Sequence, residues 1–139
     1  ENGPNQCYVI NIASTLAILS PAKVASYASS KAALTAFHKS YSFELENRKV
    51  SNIRTLLVVP GQLNTKLFGG FKPPRQFFAP VIYSDVLARQ IIRCCETGQR
   101  GDLYAPFYSN FAHLLMSLPY IVQLFARKFS NMDNCLPDN

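Results

Sequence analysis

The hydrophobic positions of the chain alternate between continuous runs and a helical stripe. Residues 7–13 (CYVINIA) and 52–59 (NIRTLLVV) are almost unbroken apolar runs that contain β-branched residues. Such runs are typical of strands buried on both faces of a parallel sheet. Between them, a predicted helix over residues 24–48 carries one apolar stripe, formed by Leu34, Phe37, Tyr41 and Leu45. The order strand, helix, strand predicts a βαβ unit.

The pattern becomes more irregular after the second strand. Residues 60–81 are rich in glycine and proline and predict a long loop, which in a compact domain is usually functional or disordered. A helix is predicted over residues 83–96, with Gly98 as its stop. We expect four of its residues to face inward, namely Val86, Leu87, Ile91 and Ile92. A short third strand is predicted over residues 102–106.

The C-terminal part of the chain is apolar. Residues 103–126 contain no Asp, Glu, Lys or Arg, so a transmembrane span has to be considered. Polar residues nevertheless share one helical face, and Pro119 interrupts the run. The pattern favours an amphipathic helix pair, packed on the domain or lying at a membrane interface. We therefore expect two regions, residues 1–106 and an apolar amphipathic helical tail over 107–139.

Composition and charge exclude several classes of protein. Hydrophobic residues make up 48% of the chain and charged residues 16%, which indicates a globular protein rather than a disordered one. The net charge of +6 is scattered, whereas a nucleic-acid footprint is normally clustered, so no nucleic-acid partner is expected. Attraction to anionic lipid would account for this scattered charge as well as nucleic-acid binding would. The four cysteines form no CxxC pair, so we expect reduced thiols, no metal site and an intracellular location.

Candidate chemistry begins with the stretch SYASSK, in which Tyr27 and Lys31 lie four positions apart and would share a helix face. A nearby ammonium favours the phenolate, which makes a weakly acidic phenol usable in acid–base chemistry. Ser14 follows the first strand, and Pro60 and Gly61 follow the second. Ligands of open α/β sheets bind at these carboxyl ends of strands. The three segments are therefore expected to converge on one rim of the sheet.

Taken together, the three segments resemble the C-terminal half of a short-chain dehydrogenase/reductase. VINIAS resembles the strand that ends in the family's catalytic serine, and YASSKAAL resembles the start of its Tyr-x-x-x-Lys helix. PGQLNT resembles its Pro-Gly-x-Val-x-Thr loop, with Leu63 in place of valine. The resemblance covers residues 7–106 and implies an α/β fold, the C-terminal half of a doubly wound parallel sheet of the Rossmann type.

The resemblance also implies roles for individual residues. Ser14 would orient and polarise the substrate carbonyl or hydroxyl. Tyr27 would be the general acid in reduction and the general base in oxidation. Lys31 would favour the phenolate and bond the nicotinamide ribose.

The implied cofactor is NAD or NADP, with NADP slightly favoured. Tyr27 and Lys31 would contact it from the helix. Pro60 and Gly61 would shape the nicotinamide pocket, and Thr65 would contact the carboxamide.

The membrane-associated retinol and 17β-hydroxysteroid dehydrogenases are the nearest type within the family. They imply a lipophilic alcohol or ketone as substrate, such as a retinoid, a steroid or an acyl chain, with residues 66–80 as a substrate lid. They also imply a homodimer at full length, packed through the helix that carries Tyr27. The expected location is the cytoplasm or the surface of the endoplasmic reticulum or lipid droplets.

The family's phosphate-binding loop, Thr-Gly-x-x-x-Gly-x-Gly, does not occur in this sequence. We therefore expect a fragment of a reductase that has negligible turnover by itself. The alternative is a non-catalytic, truncated module for dimerisation or membrane association. A third reading, a Ser/Lys hydrolase using Ser20 and Lys23, lacks the companion Ser-Asp-Asn and Lys-Thr-Gly motifs. His38 and His113 are expected to be solvated or to lie at the edge of the core.

Overall fold

The computed structural model describes residues 6–61, 82–105 and 112–130. Its elements are, in chain order, β1 (Cys7–Ile12), α1 (Leu16–Leu19), α2 (Ala25–Asn47), β2 (Ile53–Pro60), α3 (Ser84–Glu96), β3 (Gly101–Ala105), α4 (Ala112–Met116) and α5 (Tyr120–Ser130). The three strands and two longer helices predicted from residues 7–106 are found with their ends shifted by about one residue, the usual uncertainty of such boundaries. Helix α1 was missed because a single turn is too short to show a period. Thr65 and the predicted lid lie outside the described residues.

The described strands form a parallel sheet in the order β1-β2-β3. Pairing continues beyond the ends of the strands, where the Thr15 amide donates to the Pro60 carbonyl at 3.0 Å and the Gly61 amide donates to the Ala105 carbonyl at 2.6 Å. The carboxyl ends of all three strands therefore lie side by side. This is the rim that the sequence predicted.

Helices cover both faces of the sheet. On one face, Leu56 and Val58 of β2 pack with Leu87 and Cys94 of α3. On the other face, Leu57 and Val59 pack with residues that include Ala13, after β1, and Ile18 of α1. Residues alternate between the two clusters along β2 because successive strand side chains point to opposite faces.

Strand β1 is not buried on both faces as predicted. Ile10 is 38% exposed and Ile12 is 47% exposed. Their register partners Leu56 and Val58 are almost fully buried on the same face. Strand β1 forms the edge of the described sheet, so its outer apolar residues lack the cover that the central strand has. A continuous apolar run cannot distinguish an edge from a centre.

The prediction for α3 was half right. Leu87 is buried and Ile91 packs against the core cluster, but Val86 is 41% exposed and Ile92 is 56% exposed. Adjacent helix positions point about 100° apart, so two neighbouring pairs cannot all face the sheet. Gly98 has a φ of +73° just past the end of the helix, which confirms the predicted stop.

The predicted apolar stripe of α2 is only partly buried, because Leu34, Tyr41 and Leu45 are half-buried and Phe37 is exposed. Phe37 is 56% exposed and stacks on Tyr41, with the ring centroids 5.7 Å apart. The buried residues of α2 are Ala28 and His38. His38 is only 2% exposed, which makes it far more buried than the sequence led us to expect. The most buried side chain of this helix is therefore a polar one.

Helices α4 and α5 are separated by Pro119, as the sequence predicted. The Gln123 amide joins them by donating to the carbonyls of Met116 and Leu118. Arg127 of α5 donates to the Leu19 carbonyl at the end of α1. Across the described parts of the chain, no helix has the length and apolarity needed to span a membrane.

Candidate active site

Ser14 lies two residues beyond β1, at the rim of the sheet. Its side chain is buried, with 4% of the residue exposed. The Oγ atom accepts a hydrogen bond from the Leu16 amide at 3.1 Å and so satisfies a donor at the start of α1. This is a local serine turn, in which the side chain bonds the backbone two residues further on. A hydroxyl can accept and donate at the same time, so the Ser14 O–H keeps its capacity to donate to a substrate oxygen.

Tyr27 and Lys31 share a face of α2, as their spacing predicted. The Lys31 ammonium lies 5.8 Å from the centroid of the Tyr27 ring, within the range of a cation–π interaction. Tyr27 is half-buried. The side chain of Lys31 therefore places a positive charge beside the phenol ring at the start of the helix.

The same ammonium anchors α2 to the sheet. Lys31 Nζ donates to the Ile12 carbonyl at 2.9 Å. Because Ile12 is the last residue of β1 and lies two positions before Ser14, this bond brings the tyrosine–lysine pair to the strand end that carries the serine. Pro60 and Gly61 are buried at the adjacent end of β2. The structure thus brings together five of the six predicted site residues on one rim, and Thr65 lies outside the described residues.

The residues present fit the nicotinamide–ribose end of a dinucleotide. Lys31 has three N–H donors, of which the contact with Ile12 uses one, so donors remain for ribose hydroxyls. Gly61 has no side chain that would obstruct a flat ring at the buried end of β2. Lys31 would hold the ribose, Ser14 would hold the reacting oxygen of the substrate, and Pro60 and Gly61 would border the ring.

A second polar group, missed by the sequence analysis, lies beneath α2. The amide Nδ2 of Asn11 is 3.2 Å from His38 Nδ1, and His38 Nε2 is 4.0 Å from Asp102 Oδ1. Burial lowers the pKa of the His38 imidazole; Asp102 opposes this shift and Lys39 reinforces it. Two signals could have revealed this group: an asparagine inside an apolar strand, and a histidine seven residues, about two turns, after Lys31.

The polar group continues towards α4. The Tyr104 hydroxyl donates to Asp102 Oδ2 at 3.3 Å and lies 3.1 Å from His113 Nε2. Burial raises the pKa of the Tyr104 phenol, and the Asp102 carboxylate raises it further. His113 itself is exposed on α4, in agreement with the prediction.

The Ser-x-x-Lys match has no support in the geometry. Ser20 is the C-cap of α1 with a φ of +43°, and Lys23 has a φ of +71° in the loop before α2. The two residues do not share a helical turn, so the proximity that an i, i+3 helical pair would have is not provided by this backbone.

Comparison with known proteins finds a match over the same three motifs. A family model described as short chain dehydrogenase matches residues 3–75, which is more than half of the chain and includes all six predicted site residues. The chain belongs to the short-chain dehydrogenase family. The resemblance inferred from the three motifs is therefore confirmed.

Two relatives within this family illustrate the range of similarity. The uncharacterized oxidoreductase TDA5 of Saccharomyces cerevisiae is 68% identical over 138 residues, covering 99% of this chain and 42% of the yeast protein. Retinol dehydrogenase 10 of Xenopus tropicalis is 32% identical over 135 residues, covering 95% of this chain and 39% of the frog protein. The chain thus spans about two fifths of the length of these curated relatives.

A solved structure supports the fold. It is a short chain dehydrogenase from Burkholderia cenocepacia in complex with NADP, with a TM-score of 0.63 and 21% sequence identity. The match covers 90% of this chain and 49% of the bacterial one. The predicted fold class, half of a doubly wound parallel α/β sheet, is confirmed.

Proposed function

We propose that the protein carrying this short-chain dehydrogenase segment is an NAD(P)-dependent oxidoreductase that interconverts a hydroxyl and a carbonyl group. The observation that supports this most directly is the position of the Lys31 ammonium. It lies between the Tyr27 ring and the end of β1, next to the strand residue that leads to Ser14. A phenol, an ammonium and a hydroxyl at one rim are the groups needed for proton transfer to or from a polarised oxygen.

Each residue has a separate task in this proposal. When bound, a nicotinamide cofactor would supply or accept the hydride. Ser14 donates its O–H to the substrate oxygen and keeps that oxygen in place. Tyr27 gives its phenolic proton to the oxygen in reduction and takes it back in oxidation. Lys31 holds a positive charge beside the phenol ring and offers its remaining N–H donors to the ribose.

A lipophilic alcohol or ketone is the proposed substrate. Two observations support this class. The relatives include proteins named retinol dehydrogenase. Helix α5, which exposes apolar side chains, is joined through Arg127 to the Leu19 carbonyl at the end of α1, five residues after Ser14. Among the cofactors, NADP is the slightly favoured form, supported by its presence in the bacterial structural neighbour.

The test is a steady-state assay of the complete polypeptide, with NADP⁺ and NAD⁺ compared, all-trans-retinol as the lipophilic probe and ethanol as the polar one. Tyr27→Phe removes the proton donor and should lower kcat by about a hundredfold or more. Tyr41→Phe, on the same helix but stacked on Phe37, is the matched control and should retain activity. Full activity of Tyr27→Phe would disprove the assigned role, and preference for ethanol would disprove the substrate class.

The alternative is that the 139-residue chain itself is a non-catalytic module. The sequence has no Gly-x-x-x-Gly-x-Gly loop for the pyrophosphate, which favours this reading for the isolated chain. Titration with NADPH, followed by its fluorescence, distinguishes the two. Saturable binding and turnover by the isolated chain would reject the alternative, whereas binding only by a longer polypeptide would support it.

We further propose that α5 rests on an anionic membrane surface. Tyr120, Ile121 and Phe125 are each about two thirds exposed or more, and the last turn of the helix carries Arg127 and Lys128. An apolar face flanked by cations matches the interface of a bilayer that contains anionic lipid.

Sedimentation with vesicles tests this contact. Phe125→Ser should weaken binding to phosphatidylserine-containing vesicles by about tenfold, because one aromatic side chain no longer partitions into the interface. Phe37→Ser, which removes an exposed phenylalanine from α2, should leave vesicle binding unchanged. Equal binding by wild type and Phe125→Ser would contradict the proposal.

The stacked Phe37–Tyr41 pair of α2 is proposed as part of a self-association surface of the full-length protein. Phe37 is 56% exposed, and its ring stacks on Tyr41 to form a flat apolar surface. A second copy of the same helix is the proposed partner, because a two-fold axis can bury identical stripes against each other.

A further inference from the structure

Helix α2 meets the sheet through polar side chains. Lys31 bonds the Ile12 carbonyl of β1, and Ser42 Oγ lies 2.8 Å from Thr55 Oγ1 of β2. His38 stands between these two contacts along the helix. Seven residues separate Lys31 from His38, which is close to two full turns, so both side chains project from the same face.

His38 spans three strands of the sheet. Asn11 pairs with Leu57, and Leu57 pairs with Asp102, so the three residues form one row across β1, β2 and β3. Adjacent strands are about 4.8 Å apart, so the ends of this row are separated by about 10 Å. Leu57 in the middle is fully buried, and the imidazole reaches towards the polar residue at each end of the row.

The contacts of the His38 ring favour one of its two neutral tautomers. When the Asn11 amide donates to Nδ1, that nitrogen carries no proton, and the neutral ring must then carry its proton on Nε2. The Nε2–H group faces Asp102 Oδ1 at 4.0 Å, a distance at which attraction is electrostatic rather than a direct hydrogen bond. The two neighbours thus favour the same tautomer.

We propose that His38 is a positioning residue. Its neutral Nε2–H imidazole, held between Asn11 and Asp102, fixes α2 on the sheet and thereby sets the place of Lys31 at the rim. The consequence for catalysis rests on the function proposed above. The tautomer and the docking of the helix do not depend on it.

The groups that face His38 come from every element around it. Asp102 of β3 favours a proton on the ring, Lys39 of α2 opposes one, and Asn11 of β1 offers its amide. The backbone carbonyl of His38 accepts from Ser42 Oγ at 2.7 Å, which fixes the helix beneath the side chain. Protonation of Nδ1 would place two donors, the ring N–H and the Asn11 amide N–H, opposite each other until the amide rotates. Acid should therefore weaken the contact between His38 and β1.

The first experiment is independent of activity. His113→Asn leaves His38 as the single histidine of the chain, and ¹⁵N NMR of the labelled imidazole then reports its tautomer and its titration without ambiguity. We expect the Nε2–H tautomer near neutral pH. Asn11→Asp replaces the amide donor by an acceptor and should move the proton to Nδ1 and raise the pKa of His38.

Two outcomes of this experiment would overturn the inference. One is an Nδ1–H tautomer in the His113→Asn protein. The other is an unchanged tautomer in a folded Asn11→Asp variant, since a histidine that is merely packed would not respond. If Asn11→Asp does not fold, Asp102→Asn provides the second perturbation, and it should lower the pKa of His38.

The second experiment measures activity in the complete polypeptide. His38→Ala should lower kcat by between about tenfold and a hundredfold through misplacement of Lys31. His38→Asn, whose amide can still bond Asn11, should recover part of that loss and should change the acid limb of the kcat profile. His113→Asn is the matched control and should keep wild-type kcat.

The failure modes are distinguishable. If the proposed oxidoreductase function is wrong, neither wild type nor any variant turns over, while the NMR result still decides the role of His38 in docking α2. If the positioning role is wrong, wild type and His38→Ala turn over alike with the same pH profile.

Discussion

Gly98 shows how one residue can depend on another far away in the sequence. It has a φ of +73°, a left-handed conformation that glycine adopts without strain. A Cβ at this position would lie 2.2 Å from Arg54 Nη1, the atom that donates to the Gly98 carbonyl at 3.2 Å. The guanidinium of Arg54, a β2 residue, therefore packs directly against the backbone at the end of α3.

Gly98→Ala should lower the free energy of unfolding by about 1–2 kcal/mol from the left-handed backbone alone, and by more while the Arg54 side chain must move. Urea denaturation measures the loss. In an Arg54→Met background, Gly98→Ala should lose only the backbone part of the free energy of unfolding, because the new Cβ no longer meets a guanidinium. Equal losses in both backgrounds would contradict a contribution from the guanidinium.

At the scale of the element, α2 combines anchoring and chemistry on one face. Its contacts with the sheet come from Lys31, His38 and Ser42, whereas the apolar Phe37 points away. A helix held by polar contacts depends on the protonation of its groups in a way that an apolar contact does not. The titration of His38 should therefore appear in the stability of the whole fold.

Stability should fall as the pH is lowered through the titration of His38. Burial lowers the pKa of this imidazole below its ordinary value of 6.5, so between the two values the unfolded chain binds more protons than the folded one. The contribution of His38 is thus complete above about pH 6.5 and is lost progressively below it. Urea midpoints from pH 7.5 down to 5 measure this slope.

A comparison of the two histidines isolates the source of that slope. His38→Asn should flatten the pH dependence, whereas His113→Asn, which removes the exposed imidazole on α4, should preserve it. A slope of the same size in wild type and in His38→Asn would assign the pH dependence to other groups.

At the scale of the whole molecule, two of the described elements that expose apolar side chains, α2 and α5, are proposed to be interfaces. Phe37, on α2, is 56% exposed, and Phe125, on α5, is 71% exposed. The proposals give these surfaces different partners, a second copy of the chain and a lipid interface. A variant of each surface can serve as the control for the other.

Phe37→Ser should weaken self-association of the full-length protein, because the stacked Phe37–Tyr41 pair loses its ring contact and its apolar area. Sedimentation equilibrium measures the dimer dissociation constant, which we expect to rise about tenfold. Phe125→Ser serves as the control and should leave that constant unchanged. A monomeric wild-type protein, or an effect of Phe125→Ser alone, would reject α2 as the interface.

The sequence by itself determined the family and the order of the three strands and two longer helices in residues 7–106, and it nominated the residues of the candidate site. These depend on local features: apolar runs, a helical period, and the motifs around Ser14, Tyr27 and Gly61. Such features are encoded within short windows, and three of them in the right order are specific together. For the same reason, the site was predicted more completely than the packing around it.

Only the tertiary structure decided which apolar residues are buried and which polar residues meet. It placed β1 at the edge of the described sheet, so that Ile12 is half exposed, and it brought Lys31 to the Ile12 carbonyl. It also set His38 between Asn11 and Asp102, residues 91 positions apart that are aligned only by the register of the three strands. Burial and strand register depend on neighbours supplied by distant segments, and a periodic pattern records only which side of an element is apolar.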